Sequence, residues 1–145
     1  MRVLFLNPPF HPRFSREQRS PAVTKSGTLY YPKWLAHAAG VAIKSGHDVD
    51  LVDAPAGRQT VREIIDRIDA KGIEAVVCDT STPSILNDVE VVDRLIAAKP
   101  SLHVLLVGRH VSALPTEIAP IGLPSRSMGT AIDARQFPAV ASPCA

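Results

Sequence analysis

Cysteine is scarce in this chain, with 2 in 145 residues, Cys78 and Cys144. That excludes a disulfide framework, and no spacing suits a metal or an iron–sulfur cluster. Cys78 sits in an apolar run and reads as a small core residue. No stretch approaches the ~20 apolar residues of a membrane span. Met1 to Leu6 is too short for a signal peptide, and Asn7-Pro8-Pro9 ends it, so the expected location is the cytoplasm. No G-x-G-x-x-G or G-x-x-x-x-G-K-[ST] occurs, which argues against a dinucleotide or P-loop site. Spacing reveals no Ser/His/Asp or Cys/His set. A net charge of +2 gives no case for nucleic acid. The charge is uneven, however: Arg2, Arg13, Arg16, Arg19, Lys25 and Lys33 face only Glu17 in the lead segment. A solvated face is the plainer reading of that run, an anionic ligand or partner the other.

What is present is an alternation of apolar runs and amphipathic patterns sized for one domain. The organising stretch is Glu74 to Leu86. Ala75 to Cys78 suits a strand buried on both faces, and a hydroxyl-rich loop follows it. Val3 to Leu6 reads as a central first strand, stopped by two prolines that cannot donate ladder hydrogen bonds. Phe10 to Gly27 is a long polar connection without period, of a length often functional or mobile. Thr28 to Ser45 reads as a helix with Pro32 in its first turn and Leu35, Ala38, Ala39, Ala42 and Ile43 at helical spacing. Its alanines and Gly40 make one side slim. Trp34 and Tyr30 either line a site or, more often for such residues, belong to the core.

His47 to Asp53 alternates like a strand near an edge, and Ala54 to Gln59 reads as a loop. Thr60-Val61-Arg62-Glu63 matches a capping box opening a helix with Val61, Ile64, Ile65 and Ile68 inward and its end near Lys71-Gly72. Ser84 or Asn87 caps a third helix, whose predicted stripe is Ile85, Leu86, Val89, Val92, Leu95 and Ile96. Leu102 to Val107 is a fourth strand. Gly108-Arg109-His110 turns, and Ser112 to Ile118 starts a last helix with Pro115 in its first turn.

The order β-α-β-α-β-α-β-α demands parallel strands. The expected class is α/β, a Rossmann-like or flavodoxin-like open sheet with strand order 2-1-3-4. Its switch point gathers three loops, Asn7 to Phe10, Thr80 to Ser84 and Gly108 to Val111. Asn7-Pro8-Pro9 lacks the carboxylates of a phosphoacceptor and the donors of a flavin site, and Asp79 reads as a loop residue that hydrogen-bonds backbone N–H groups. Thr80, Ser81, Thr82 and Ser84 can bond amide or phosphate groups of a large ligand, or can simply satisfy the turn. Gly108 allows close backbone approach. After Ile118 no period is visible, so residues 119–145 read as an irregular tail, the fifth strand as missing and the fourth as an unpaired edge.

Several strings together carry a family likeness. They are L-N-P-P at Leu6 to Pro9, S-G-T-L-Y-Y-P-x-W-L at Ser26 to Leu35, A-G-V at Ala39 to Val41, G-H-x-V at Gly46 to Val49 and D-A-P-A at Asp53 to Ala56. Later come D-T-S-T-P-S-I at Asp79 to Ile85, N-D-V-E at Asn87 to Glu90 and V-G-x-H-V-S-A-L-P at Val107 to Pro115. Over residues 1–118 the chain resembles the N-terminal cobalamin-binding domain of radical S-adenosylmethionine enzymes. The nearest group is the one resembling the magnesium-protoporphyrin monomethyl ester oxidative cyclase.

The resemblance implies cobalamin as cofactor, its tail entering between the first and third strands, and a catalytic barrel as partner. Asn7, Pro8, Pro9, Thr80, Ser81, Thr82, Ser84, Gly108, Arg109, His110 and Val111 are the implied contacts, with His110 facing either the corrin or solvent. Domains of the methionine synthase type carry D-x-H-x-x-G after the first strand. Here Pro9 stands at the ligand histidine, and His11 comes two residues late, so the chain supplies no metal ligand through that motif. The C-x-x-x-C-x-x-C motif is absent, so the chain has no catalytic residue and no iron–sulfur cluster of its own. The tail's composition reads as that of a truncated or frame-shifted product. The readings are a cobalamin module, a subunit docked to a separate radical enzyme, a degenerate fragment that binds nothing, and a generic nucleotide or small-ligand module.

Overall fold

A computed structural model describes residues 1–18 and 20–113. The expected segment 119–145, the site of any fifth strand, Pro115 and Cys144 lie outside the described residues. Strands β1 (Arg2–Asn7), β4 (Asp48–Asp53), β5 (Ala75–Thr80) and β6 (His103–Gly108) form a parallel sheet ordered β4-β1-β5-β6, the predicted 2-1-3-4. Between β1 and β4 come a two-residue antiparallel ribbon, β2 (Phe14–Ser15) with β3 (Ala22–Val23), and helix α1 (Lys33–Lys44). Helices α2 (Ala54–Gly57), α3 (Val61–Lys71), α4 (Ile85–Ala98) and α5 (Arg109–Ala113) complete the described chain.

Alternation along the strands divides the core in two. Leu4, Leu6, Val76, Cys78 and Val104 face α3 and α4, whose Ile64, Ile68, Val89, Val92 and Leu95 are buried against them. Each fully buried side chain of this kind is worth roughly 1.5–3 kcal/mol. On the other face Val3, Phe5, Ala75 and Val77 meet Leu35 and Ala39 of α1, with Leu105 and Val107 half-buried. Helix α1 lies over β1 and β4, so among the described residues β5 and β6 are less covered on this side.

The capping box is complete: the Thr60 hydroxyl accepts from the Glu63 N–H at 3.3 Å, and Glu63 Oε2 accepts from the Thr60 N–H at 2.7 Å. Gly72 ends α3 in the left-handed region. Strand β4 is tied to α3 through Asp50, which accepts from Arg67 at 2.5 and 2.8 Å and pairs with Lys71 at 3.0 Å.

Several boundaries differ from expectation for local reasons. Helix α1 begins at Lys33, not Thr28, because Pro32 takes the N-cap position and a residue before proline avoids helical angles. On α1, Leu35 and Ala39 are buried, but Ala38 and Ile43 are exposed, as are Tyr30 and Trp34. The loop expected at Ala54 opens as the short α2, where Asp53 accepts from the Ala56 N–H and Pro55 fits the first turn. In α4, Leu86 is 71% exposed and Asp88 is fully buried. Asp88 lies three residues after Ile85 and four before Val92, on the inward stripe, whereas Leu86 is turned off it. Helix α5 starts directly after Gly108 rather than at Ser112.

Candidate functional site

The C-terminal ends of β1 and β5 are joined by a buried polar cluster built on Arg16, which the reading as a solvated basic segment had placed outside. Nη2 of Arg16 lies 2.5 Å from Asp88 Oδ1, and Nη1 donates to Asn7 Oδ1 and to the Pro8 carbonyl, each at 2.8 Å. Asn7 in turn donates to Asp53 at 2.8 Å. Asp88 receives three further donors: the Ser84 hydroxyl at 2.6 Å, Asn87 Nδ2 at 3.3 Å and the Ser81 N–H at 3.4 Å. Four donors fill a carboxylate's acceptor sites, which is what burying this charge requires. Burial still raises the Asp88 pKa, with Arg16 pulling against it. The guanidinium also lies over the Phe14 and Phe10 rings, at 5.4 and 5.9 Å.

This cluster engages much of what the sequence offered as ligand donors. Ser81 and Ser84 bond each other at 2.6 Å, and Thr80 Oγ1 donates to the Val107 carbonyl at 2.7 Å across the β5–β6 pair. Of the loop hydroxyls, that of Thr82 is on an exposed residue. The Pro9 carbonyl accepts from Asn87 Nδ2 at 2.9 Å, and His11 stacks obliquely on Phe10. Gly108 has φ +126°, and a β-carbon there would collide with the Thr80 carbonyl. Glycine is therefore required by the neighbouring strand, whatever else approaches it.

A cavity of about 760 Å³ opens on the α1 side of the sheet, within the range of small-molecule sites. Its floor is Phe5, Val77, Leu105 and Val107, and one wall is the slim face of α1 at Ala38 and Ala42, with Trp34 at its start. Its polar end holds Arg16, Glu17, Asp79, Thr80, Ser81, Thr82, Gly108 and Arg109. Asn7, Pro8, Pro9, Ser84, His110 and Val111 do not line it, and Val111 packs against the larger core instead. Pro9 and His11 border a separate, smaller hollow beside α4.

Asp79 was read as a loop residue; it belongs to β5. Burial, and next the charge of Glu17, push its carboxyl up to about 7, with Arg16 opposing. Burial also raises Glu17, against the pull of Lys33 and Arg109. The Cys78 thiol is driven well up by burial, so it is an inert core group. Arg16 Nε is buried and has no hydrogen-bond partner among the described residues.

Arg16, Glu17 and Asp79 were the residues missed. A charge on the inward stripe at Asp88 was the available signal for a buried cation, and Arg16 is that cation. Among the described residues no group of three or more His, Cys, Asp or Glu is placed to hold a metal ion, and no helix is long and apolar enough to cross a membrane.

No curated protein and no solved structure matches the chain. The model of the B12 binding domain matches residues 19–136, running past the boundary expected at Ile118. That match covers most of the chain, the sheet is parallel with order 2-1-3-4, and the chain belongs to the B12-binding domain family.

Proposed function

We propose that this cobalamin-binding domain serves a radical S-adenosylmethionine type enzyme and receives its cofactor in the cavity between α1 and the β5–β6 face. The family match supports the cofactor. The observation that carries the placement is Arg16 Nε, a buried N–H without a partner in a residue that lines the cavity. An unsatisfied buried donor is costly and calls for an acceptor, and cobalamin carries many.

The fit extends to shape and polarity. Ala38 and Ala42 leave room for a flat group, the floor is apolar, and Thr80, Ser81, Thr82, Gly108 and Arg109 stand at the polar end. Asn7, Pro8 and Ser84 act one step back, by fixing Arg16 and Asp88, and Pro9 by holding Asn87, which donates to Asp88. Cobalamin supplies a cobalt centre for methyl or electron transfer when bound. The chain's part is to hold the group, orient it and exclude water from the sheet side. Pro9 brings no imidazole, so the position after β1 would hold the cofactor without ligating cobalt through that motif.

The radical-enzyme assignment rests on the shared strings, chiefly D-T-S-T-P-S-I and V-G-x-H-V-S-A-L-P. Two cysteines cannot assemble the three-cysteine cluster motif, so the radical chemistry belongs to a further domain or subunit. A second reading, a folded module that has lost its ligand, is favoured by the internal bonding of Thr80, Ser81 and Ser84.

Titration with hydroxocobalamin, followed by visible absorbance and gel filtration, separates them. A shifted corrin spectrum co-eluting with the protein is expected. Free cobalamin running apart from folded protein would establish the second reading.

A further inference from the structure

Within that cofactor reading, on which this inference rests, we propose that Arg16 and Asp79 form a recognition site for a primary carboxamide, with Arg16 Nε–H donating to the amide oxygen and the Asp79 carboxylate accepting from the amide nitrogen. Both residues line the same end of the cavity. Arg16 is 6% exposed; its Nη1 donates to Asn7 and Pro8 and its Nη2 to Asp88, so Nε is the guanidinium nitrogen without a partner among the described residues. Its position is set by those bonds before any ligand arrives, so little ordering cost attends binding.

The charge at this end selects the ligand class. The Arg16 cation is matched by Asp88 at 2.5 Å. Asp79 and Glu17 add acid at the same end, while Arg109 and Lys33 are exposed and act on Glu17 from the rim. A phosphate placed against Arg16 Nε would face two carboxyl groups and meet a cation already neutralised. A neutral group offering both an acceptor and donors satisfies Arg16 and Asp79 together. The primary carboxamide is that group, and the corrin ring carries several on its edge.

The test uses the full 145-residue chain and two probes. Hydroxocobalamin has both the ring amides and the nucleotide phosphate; dicyanocobinamide keeps the ring amides and lacks the nucleotide. Affinities are measured at pH 8, above the value of about 7 to which burial pushes Asp79, by visible absorbance for the unaltered chain, Asp79→Leu and Arg16→Lys, with circular dichroism to establish folding. Asp79 is the decisive position, because Arg16→Lys disturbs the buried cluster as well. Asp79→Leu is expected to weaken both probes by roughly 10- to 100-fold, the loss of one hydrogen bond to a charged group. Unchanged affinity for both probes would overturn the site and leave the cofactor reading standing. A loss confined to hydroxocobalamin would assign the contact to the nucleotide tail and also overturn it. If the unaltered chain binds neither probe, the cofactor reading fails and the carboxamide site with it.

Discussion

Arg16 and Asp88, 72 positions apart in sequence, meet at 2.5 Å with side chains 1% and 0% exposed. The contact fastens the connection after β1 to the first turn of α4. Removing one partner strands the other charge in the interior, which costs about 3–5 kcal/mol. Arg16→Met and Asp88→Leu are each expected to lower the unfolding free energy, read from urea titration, by an amount in that range. The double variant should recover much of the loss. A double variant as unstable as the sum of the singles would show that the two residues contribute independently.

Asp79 makes stability depend on pH. Its carboxyl moves from the ordinary 3.8 to about 7 on folding, chiefly through burial. The native state therefore holds the proton more tightly than the unfolded chain. Stability from this group is greatest below pH 3.8, falls as pH rises to 7 and is level above. The whole effect is about 4 kcal/mol by linkage. Asp79→Asn should raise the thermal midpoint near pH 8 and leave it little changed near pH 4. Equal shifts at both pH values would contradict the assignment.

Asp50 works in the opposite window. Arg67 holds its carboxyl down to about 2, so the stability it brings is present above 3.8 and lost as pH falls through 2. Water reaches this pair at the sheet edge, so the gain is small. Asp50→Asn should flatten the acid limb of a stability profile below pH 4 and leave the limb between pH 4 and 7 intact.

Gly108→Ala tests the seam between β5 and β6. The new methyl would sit at φ +126° and strike the Thr80 carbonyl. A loss of about 3 kcal/mol or more is expected, combining backbone strain with displacement of the strand end. A thermal midpoint within a degree or two of the unaltered chain would mean that α5 swings away freely.

Ala38→Trp tests the cavity wall. Ala38 is exposed and lines the cavity, so a large side chain has room in the free protein. Stability should stay within about 0.5 kcal/mol, while affinity for hydroxocobalamin should drop by about tenfold or more. Full affinity would place the ligand elsewhere.

The sheet and its order were legible because short apolar runs and amphipathic helices alternate from Val3 to Val107, apart from the polar connection of Phe10 to Gly27. The Thr60–Glu63 cap and the stop near Lys71-Gly72 are local signals; the cap was read to the residue and the stop to within one. The site was less legible because its decisive bonds are long-range. Arg16 reads as one of several basic residues until Asp88 is brought beneath it, and Asp79 reads as loop until β5 runs on through Thr80. The serines drew attention by composition, yet Ser81 and Ser84 face Asp88, and only the fold shows which polar groups are already engaged.

The two sides of the sheet are unequal. Among the described residues, the side bearing Leu4, Leu6, Val76 and Cys78 has α3 and α4 across it, whereas the side bearing Phe5, Val77, Leu105 and Val107 has α1 and an opening. A ligand seated there acts as part of the interior: it removes apolar surface from water that the described chain leaves wet. Affinity and folding stability then draw on the same free energy, so occupancy should be visible as slowed amide exchange in β5 and β6 as well as in the colour of the cofactor.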